Sequence, residues 1–256
     1  MKGKNTMNKK KILSLCLVVC LAATAIIGGT LAYFTDTDNA TNVMTMGNVE
    51  IDLEETYEQN STLVPGLDIN KDVWVENDGT EEAYVRVHMA FPADMDDGDP
   101  SFNASKNFLH WNFVGDNYAD GKWSFLPEYS TGAGYKGNGS GNWNFYTDTI
   151  NGVDYNIYVA TYRTALAVGG KTETALDKVY LDATVDGVTN DDGSVTYKDT
   201  KGNEITLTAD QLKNIQILVY AEGTQVDTFE NAYDALNTAF GTPGSVGYVS
   251  PWNKTE

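Results

Sequence analysis

The sequence predicts an all-β protein with long loops. Glycine is frequent, with 24 copies among 256 residues, and threonine, asparagine and aspartate are abundant as well, a composition that favours turns and loops. Several segments alternate apolar and polar residues, which is the two-residue period of a half-buried strand. Only one stretch, near the C-terminus, has convincing helical spacing. These three observations together favour an all-β domain.

Three strands are predicted in the first half of the chain. The first alternates with acidic residues and carries its apolar positions at Val49, Ile51 and Leu53. The second follows the turn at residues 63–67 and ends at the Asn77-Asp78-Gly79 turn, where Asn and Gly suit positive φ. The third covers residues 83–91, with one core face and one polar or aromatic face, and Pro92 ends it.

Further strands are predicted in the second half, at residues 155–166, 179–185 and 215–225. Residues 195–197 and 205–207 are expected to pair as an exposed hairpin through a Lys201-Gly202-Asn203 turn. The helical spacing near the C-terminus predicts a short amphipathic helix and is carried by Phe229, Tyr233, Leu236 and Phe240.

Residues 94–145 have an irregular pattern and are predicted to form a loop-rich insertion within a single domain of residues 33–256. Trp111, Trp123 and Trp143 are spaced through this insertion. The favoured interpretation is that they cover a sheet edge or pin the insertion to the core. An aromatic binding platform is the alternative.

The first 32 residues have the order of an export signal: five lysines, an uncharged apolar run at 12–27, and small residues at Thr30 and Ala32. Cleavage is expected between Ala32 and Tyr33. A retained membrane anchor is the alternative, because residues 28–34 would extend the apolar run to a spanning length of about 20 residues. Both cysteines of the chain lie in the leader, so the processed protein would have no disulfide.

The processed chain is strongly acidic. The sequence has 17 basic and 36 acidic residues, and the leader contains five lysines and no acids, so residues 33–256 carry a formal charge of −24. Such a surface repels phosphate backbones, which excludes nucleic acid as a favourable partner. It attracts cations and basic proteins, and self-repulsion keeps the monomer soluble.

Two sequence patterns resemble the TasA and camelysin family. The junction at residues 28–36, followed by a strand at 42–51, is similar to the export signals that a SipW-type signal peptidase cleaves. An internal pattern, P-G-x-x-I-x-K-x-x-x-V-x-N-x-G, is the second point of resemblance and is matched by Pro65, Gly66, Ile69, Lys71, Val75, Asn77 and Gly79. The closing segment at residues 217–240 is also similar.

The resemblance implies a jelly-roll-like sandwich of two antiparallel sheets, exported by a Gram-positive bacterium to its surface or biofilm matrix. It also implies self-association into a homopolymer, because TasA-type fibres grow by donation of an N-terminal strand to a neighbour. Contact with the membrane would occur only through the uncleaved signal.

The residues provide little support for catalysis. His88 and His110 are the two histidines, and neither belongs to an H-E-x-x-H helix. The processed chain has no cysteine, and the sequence has no G-x-S-x-G elbow. We therefore expect a protein that is not an enzyme and has no catalytic residues, cofactor or zinc site, and we expect both histidines to be surface or hydrogen-bonded sheet residues. A camelysin-like metal-dependent peptidase is the alternative.

Calcium is the one cofactor for which the sequence offers candidates. Asp94, Asp96, Asp97 and Asp99 surround Gly98, and Asp191 and Asp192 precede Gly193. Neither group matches the twelve-residue EF-hand pattern. A solvated acidic loop is the favoured interpretation at both places.

The predicted function is that of a secreted structural protein that assembles by strand donation. The mature N-terminus combines a polar lead with a strand pattern, and an extended segment of this kind can pair with the exposed sheet edge of a neighbour. The predicted assembly residues are Tyr33, Phe34, Val43, Met44 and Met46, and the strand at residues 49–53 is expected to stay intramolecular. A monomeric adhesin or carbohydrate binder that uses the tryptophan-rich insertion is a further alternative.

Overall fold

The computed structural model describes residues 35–39 (backbone), 49–57, 64–96, 98, 108–112, 122–128, 144–213, 215–226 and 229–253. These residues form thirteen β-strands, two α-helices and a 3₁₀-helix at Pro251–Asn253. The strands are β1 (Thr35–Asn39), β2 (Ile51–Tyr57), β3 (Ile69–Asn77), β4 (Ala83–Pro92), β5 (Leu109–Asn112), β6 (Trp123–Ser124), β7 (Phe145–Ile150), β8 (Val153–Tyr162), β9 (Leu176–Leu181), β10 (Asp186–Thr189), β11 (Val195–Lys198), β12 (Glu204–Leu207) and β13 (Leu218–Gln225). The helices are α1 (Ala209–Lys213) and α2 (Ala232–Phe240).

The strands form two large sheets and one small one. The six-stranded sheet has the order β1-β13-β4-β8-β6, with β7 also paired to β8, and the four-stranded sheet has the order β2-β3-β9-β5. All these pairings are antiparallel. Strands β10, β11 and β12 form a three-stranded meander. The predicted all-β sandwich with a short C-terminal helix is confirmed.

The main core lies between the two large sheets. Alternate residues of β4, among them Val87 and Met89, are fully buried against this core, as are Val73 and Val75 of β3. This arrangement is the expected consequence of the two-residue period, because every second side chain on a strand points to the same face.

The opposite face of β4 is also buried, which the sequence did not predict. Helix α2 and the residues after it cover this face, and Ala235 and Leu236 of the helix pack with Tyr84 of β4. The helix begins after Asn231, whose side chain accepts a hydrogen bond from the Asp234 backbone N–H at 3.0 Å. An N-cap of this kind satisfies a backbone donor that the helix itself leaves free.

The insertion at residues 94–145 contributes strands to both large sheets. Strand β5 pairs with β9 in the four-stranded sheet, and β6 pairs with β8 in the six-stranded sheet. Trp111 and Trp123 are each only 1% exposed, as the pinning interpretation predicts, and Trp143 lies outside the described residues. Trp111 stacks on Phe91, with ring centroids 5.1 Å apart. These two tryptophans therefore anchor the insertion in the core and are not open to a ligand.

The Asn77–Gly79 part of the internal pattern forms a buried turn. The Asn77 side-chain amide donates to the backbone oxygens of Glu81 and Leu166, at 2.9 and 3.0 Å, and its Oδ1 accepts from the Gly79 backbone N–H at 3.1 Å. Asn77 is fully buried, so its three hydrogen bonds satisfy a polar group that would otherwise be costly to bury. Asn77 and Gly79 therefore have a structural role in this turn.

The other end of the same pattern fixes the entry into β3. Gly66 has φ +74°, and a Cβ there would lie 3.1 Å from the Cβ of Ala183, so glycine suits both the backbone and the space. Lys71 is buried, and its Nζ lies 2.7 Å from Glu55 Oε2 on β2. The buried Lys71 ammonium group is thus paired with a carboxylate on the neighbouring strand.

Several predicted elements differ from the structure in extent. The strand predicted at 155–166 ends at Tyr162, and the one predicted at 179–185 covers Leu176–Leu181. The β11–β12 hairpin is confirmed. Within the described residues, no helix is long and apolar enough to cross a membrane.

We expect Trp111→Ala to reduce the free energy of unfolding by about 3–5 kcal/mol, because it removes a large buried side chain and leaves a cavity. Urea unfolding followed by circular dichroism measures this change. Val188→Ala is the matched control, since Val188 is 60% exposed and its truncation should alter stability by less than about 0.5 kcal/mol. Equal effects of the two substitutions would contradict the anchoring role of Trp111.

Candidate functional site

The N-terminal strand β1 lies at the edge of the six-stranded sheet. It pairs with β13 along its whole length, from Thr35 opposite Thr224 to Asn39 opposite Tyr220. Its sequence, TDTDN, contains no apolar residue. The contact between β1 and β13 therefore depends on the backbone ladder, without an apolar side chain from β1.

The predicted cleavage and assembly residues lie on either side of β1. They fall outside the described residues, and they are Ala32, Tyr33, Phe34, Val43, Met44 and Met46. The strand predicted to stay intramolecular does so: Val49 and Ile51 are buried, and β2 pairs with β3 from Ile51 to Tyr57.

Strand β13 is held closely against β2 on the inner side of the sheet. A Cβ on Gly223 would lie 2.9 Å from both Cδ1 and Cγ2 of Ile51, closer than nonbonded carbon atoms approach. Glycine at 223 therefore permits the close contact of the two sheets at this edge. Gly223 lies opposite Asp36 of β1 in the register.

A buried charge cluster occupies the outer side of the same sheet. Arg86 and His88 on β4 and Glu222 on β13 are each no more than 1% exposed. Arg86 Nε and Nη2 both lie 2.6 Å from Glu222 Oε2, and His88 Nε2 lies 3.1 Å from the same oxygen. Burial of these charges is tolerated because they are paired and hydrogen-bonded.

The cluster connects the sheet to the C-terminal elements. Arg86 Nη1 donates to Asn237 Oδ1 of α2, and Nη2 donates to the Gly241 backbone oxygen just after the helix, both at 3.0 Å. The rings of Tyr220 and Trp252 lie edge-on to His88, with centroids 6.4 and 6.1 Å away. Residues 241–253, which we name the C-terminal segment, thus close over this face.

His88 links Glu222 to a phenol. Its Nδ1 lies 3.2 Å from Tyr146 Oη, so a neutral ring with the proton on Nε2 would donate to Glu222 and accept from Tyr146. Burial raises the pKa of Tyr146 well above its ordinary value, and the neighbouring Tyr248 and Glu222 raise it further. The phenol therefore stays protonated and is a hydrogen-bond donor, not a nucleophile.

The second histidine lies in the other sheet. His110 on β5 has its Nε2 3.0 Å from Asp182 Oδ2, and its ring stacks on Tyr180 of β9 at 5.3 Å. Burial opposes ionisation of Asp182, but hydrogen bonds from Thr184 and His110 outweigh it and lower the pKa of Asp182. Both histidines are hydrogen-bonded residues of the sheets, as predicted.

The described residues do not fit a zinc site of the peptidase type. Such a site needs three protein ligands around one ion. Across the part of the chain that the structure describes, no group of three His, Cys, Asp or Glu side chains is arranged to hold a metal. His88 and His110 belong to different sheets, so they do not form a pair of ligands.

The two described members of the first acidic group have different environments. Asp94 is exposed and accepts a hydrogen bond from Gln211 Nε2 at 3.1 Å. Asp96 is buried and accepts one from Tyr158 Oη at 2.6 Å. Asp97 and Asp99 lie outside the described residues, so calcium binding by this group stays a prediction.

The second acidic group makes local hydrogen bonds. Asp192 Oδ1 accepts from the backbone N–H and the hydroxyl of Ser194, at 2.9 and 2.6 Å. These bonds lower the pKa of the exposed Asp192. The Asp192 carboxylate therefore stabilises the turn between β10 and β11.

The Glu222 cluster is the feature of this site that sequence reasoning missed. Glu222 follows four residues of an otherwise apolar strand, Leu218-Val219-Tyr220-Ala221. The sequence signal for this cluster was an acid within an apolar strand, together with Arg86 and His88 on the polar face of β4.

We expect Glu222→Gln to lower the free energy of unfolding by about 3–5 kcal/mol, because it leaves the buried Arg86 charge without its counterion. Thermal and urea unfolding measure the loss. Glu204→Gln is the matched control, since Glu204 forms an exposed ion pair with Lys198, with side chains 52% and 59% exposed, and such pairs contribute about 0–1 kcal/mol. A Glu222→Gln protein as stable as the control would contradict the proposed charge balance.

Comparison with known proteins found a family match in the N-terminal part of the chain. A sequence profile described as camelysin metallo-endopeptidase matches residues 7–106, which include most of the predicted leader, β1 to β4 and the internal pattern. Among curated proteins and solved structures, none matches the chain. The profile match bears out the resemblance seen in the sequence: residues 7–106 are similar to the TasA and camelysin family.

Proposed function

We propose that this chain is an exported structural protein that assembles into extracellular fibres or a surface coat by donation of β1 to a neighbouring copy. The observation that carries this proposal is the pairing of β1. A strand of five polar residues lies at a sheet edge, where it pairs with β13 by backbone hydrogen bonds. The same bonds can form with β1 of another copy, because the two strands are identical.

The exchange costs little in side-chain packing. Since β1 has no apolar residue, leaving β13 removes no apolar side chain of β1 from the core. The acceptor strand remains rigid, because Glu222 is tied to β4 on one face and Gly223 contacts Ile51 on the other. A rigid, unpaired edge is a strong template for another strand.

The segment between β1 and β2 sets how far β1 can reach from its own subunit. Residues 40–48 connect β1 to Val49, and nine residues span at most about 30 Å when extended. Donation from each copy to the next is a head-to-tail contact that does not close, so its repetition gives a filament. Removal of the leader after Ala32 would leave two residues, Tyr33 and Phe34, ahead of β1.

Charge is expected to control this assembly. The formal charge of −24 on residues 33–256 produces repulsion between copies, and salt screens it over a Debye length of about 8 Å at physiological ionic strength. Higher salt should therefore favour fibres.

We expect the chain that begins at Tyr33 to form fibres in electron micrographs, and a chain that begins at Asn48 to fold but stay monomeric, because it lacks β1. Light scattering at several salt concentrations gives the rate of assembly. Equal polymerisation of the two chains would rule out the role of β1.

Point substitutions provide a sharper control for the same prediction. Successive backbone N–H groups of a strand point to opposite sides, so either Asp36→Pro or Thr37→Pro must remove a donor to β13. At least one should abolish elongation without loss of the core, whereas Thr37→Ala keeps the N–H and should elongate normally. Fibres formed at the normal rate by both proline variants would contradict strand donation.

A second candidate function is favoured by the family description, camelysin metallo-endopeptidase. A peptidase of this type would bind zinc and cleave casein in a chelator-sensitive manner. We propose the structural role ahead of it, because the described histidines are committed to Glu222 and Asp182 in separate sheets.

We expect the purified protein to contain less than about 0.1 zinc per chain and to leave casein intact. Metalloprotease zinc sites need three protein ligands, and the described residues contain no such group. Elemental analysis and a casein assay with and without chelator test this. Stoichiometric zinc with activity that is lost in a His88→Gln or His110→Gln variant would favour the peptidase.

A further inference from the structure

Strand β10 is an open sheet edge in a different sheet from β1. It is the outer strand of the β10-β11-β12 meander, and β11 is its only strand partner among the described residues. All four of its residues, Asp186 to Thr189, are exposed. The strand contains neither proline nor lysine, two residues that commonly protect a sheet edge from pairing with another chain.

The register of the meander shows which backbone groups of β10 are free. The Asn190 backbone N–H donates to the backbone oxygen of Ser194, the residue opposite it, at 2.8 Å. Alternate residues of an antiparallel strand bond to the same neighbour, so the backbone groups of Val188 also point to β11. Those of Gly187 and Thr189 point to the open side, where no described residue is hydrogen-bonded to them.

Strand β10 stands clear of the main core. Thr189, Val195 and Leu207 lie opposite one another across the meander and therefore share its inner face. Leu207 is 2% exposed and belongs to the main core, whereas Thr189 on the same face is exposed. The meander thus rests on the core through β12 and leaves both faces of β10 open, which gives another chain access to the edge.

The open edge of β10 is complementary to itself in the antiparallel direction. When Val188 lies opposite Val188 of a second copy, Gly187 lies opposite Thr189 of that copy, and each can donate to and accept from the other. A two-fold axis perpendicular to the sheet relates the copies and keeps the two outer faces side by side. Asp186 then lies opposite Asn190, which is uncharged, so the contact brings no two carboxylates into opposition.

Val188 supplies the apolar part of this contact. Its side chain is 60% exposed in the single copy. In the register above, the two Val188 residues form a pair without backbone hydrogen bonds, in which the Cα atoms approach to about 4.5 Å, so each side chain covers the other. Thr196 and Thr206 continue the row on the same face and hydrogen-bond to each other through their hydroxyls at 3.0 Å. The row beside Val188 therefore carries no charge.

We propose that β10 pairs with β10 of a second copy, so that the two meanders join into one continuous antiparallel sheet. A contact of this size is weak in isolation, and it gains strength where copies are already held close together. The inference goes beyond the proposed strand donation and involves a different sheet, so either contact can fail without the other.

The test is disulfide capture in the chain that begins at Tyr33, which contains every described element and no cysteine. Val188→Cys places one thiol per copy at a pair whose Cα separation, about 4.5 Å, lies within the range of disulfides, about 4.4–6.8 Å. Val168→Cys is the matched control, because Val168 is 51% exposed and lies outside the meander. Oxidised glutathione is the oxidant, and non-reducing gels report the linked dimer over time.

We expect Val188→Cys to form the linked dimer at least about tenfold faster than Val168→Cys, because pairing raises the effective concentration of the two thiols. The two variants have the same net charge, so repulsion between the acidic copies affects both rates equally. Equal rates for the two cysteine variants would overturn the proposal.

A proline substitution tests the hydrogen bonds of the same contact. In the Val188→Cys chain, Thr189→Pro removes an N–H that points to the open side and leaves the ladder with β11 intact. It should lower the rate of dimer formation to that of Val168→Cys, whereas Thr189→Ala keeps the N–H and should leave the rate unchanged. Dimer formation by the proline variant at the unreduced rate would also overturn the proposal.

Discussion

The Glu222 carboxylate is the constraint on which the rest of the structure depends. A carboxylate within a β-strand that is covered on both faces is stable only when its charge is balanced, and here the partners are Arg86 and His88 on the neighbouring strand. Arg86 in turn binds Asn237 and the Gly241 backbone oxygen. One buried charge thus determines where β4, β13, α2 and the start of the C-terminal segment lie.

The same constraint explains how one strand could serve both the fold and the proposed assembly. Strand β13 is immobilised on its outer face by Glu222 and on its inner face by the contact of Gly223 with Ile51. Its far edge is paired only with β1, whose side chains are all polar. Exchange of β1 therefore changes the partner at the edge without disturbing the packing on either face.

Sequence reasoning recovered the elements whose side chains alternate. Strands β2, β3 and β4, the β11–β12 hairpin and helix α2 each carry a clear apolar period, because one face of each packs against apolar residues; β4 also buries its polar face. Strand β1 has five polar residues, and β5 and β6 have four and two residues, too few to show a period. These elements are strands because of their neighbours in the sheet, which sequence patterns do not reveal.

The candidate site was less predictable for a related reason. Arg86 and Glu222 are 136 residues apart, and His88 and Glu222 are 134 residues apart, so no local spacing reports the cluster. The histidines were correctly expected to be hydrogen-bonded sheet residues, but their partners depend on strand order. Asp148 of β7 and Asn253 of the C-terminal segment likewise hydrogen-bond although they are 105 residues apart, and they meet only after the sheet has formed.

The balance between intramolecular and intermolecular pairing of β1 follows from its tether. Because β1 and β13 belong to one chain, the effective concentration of β1 at its own β13 is on the order of millimolar, so β1 prefers its own β13 while the protein is dilute. Pairing with another copy exchanges identical backbone bonds, and it therefore needs either a comparable local concentration or added contacts from the residues on either side of β1. Tyr33, Phe34, Val43, Met44 and Met46 are the apolar residues available for such contacts. The proposed assembly should accordingly be steeply dependent on concentration.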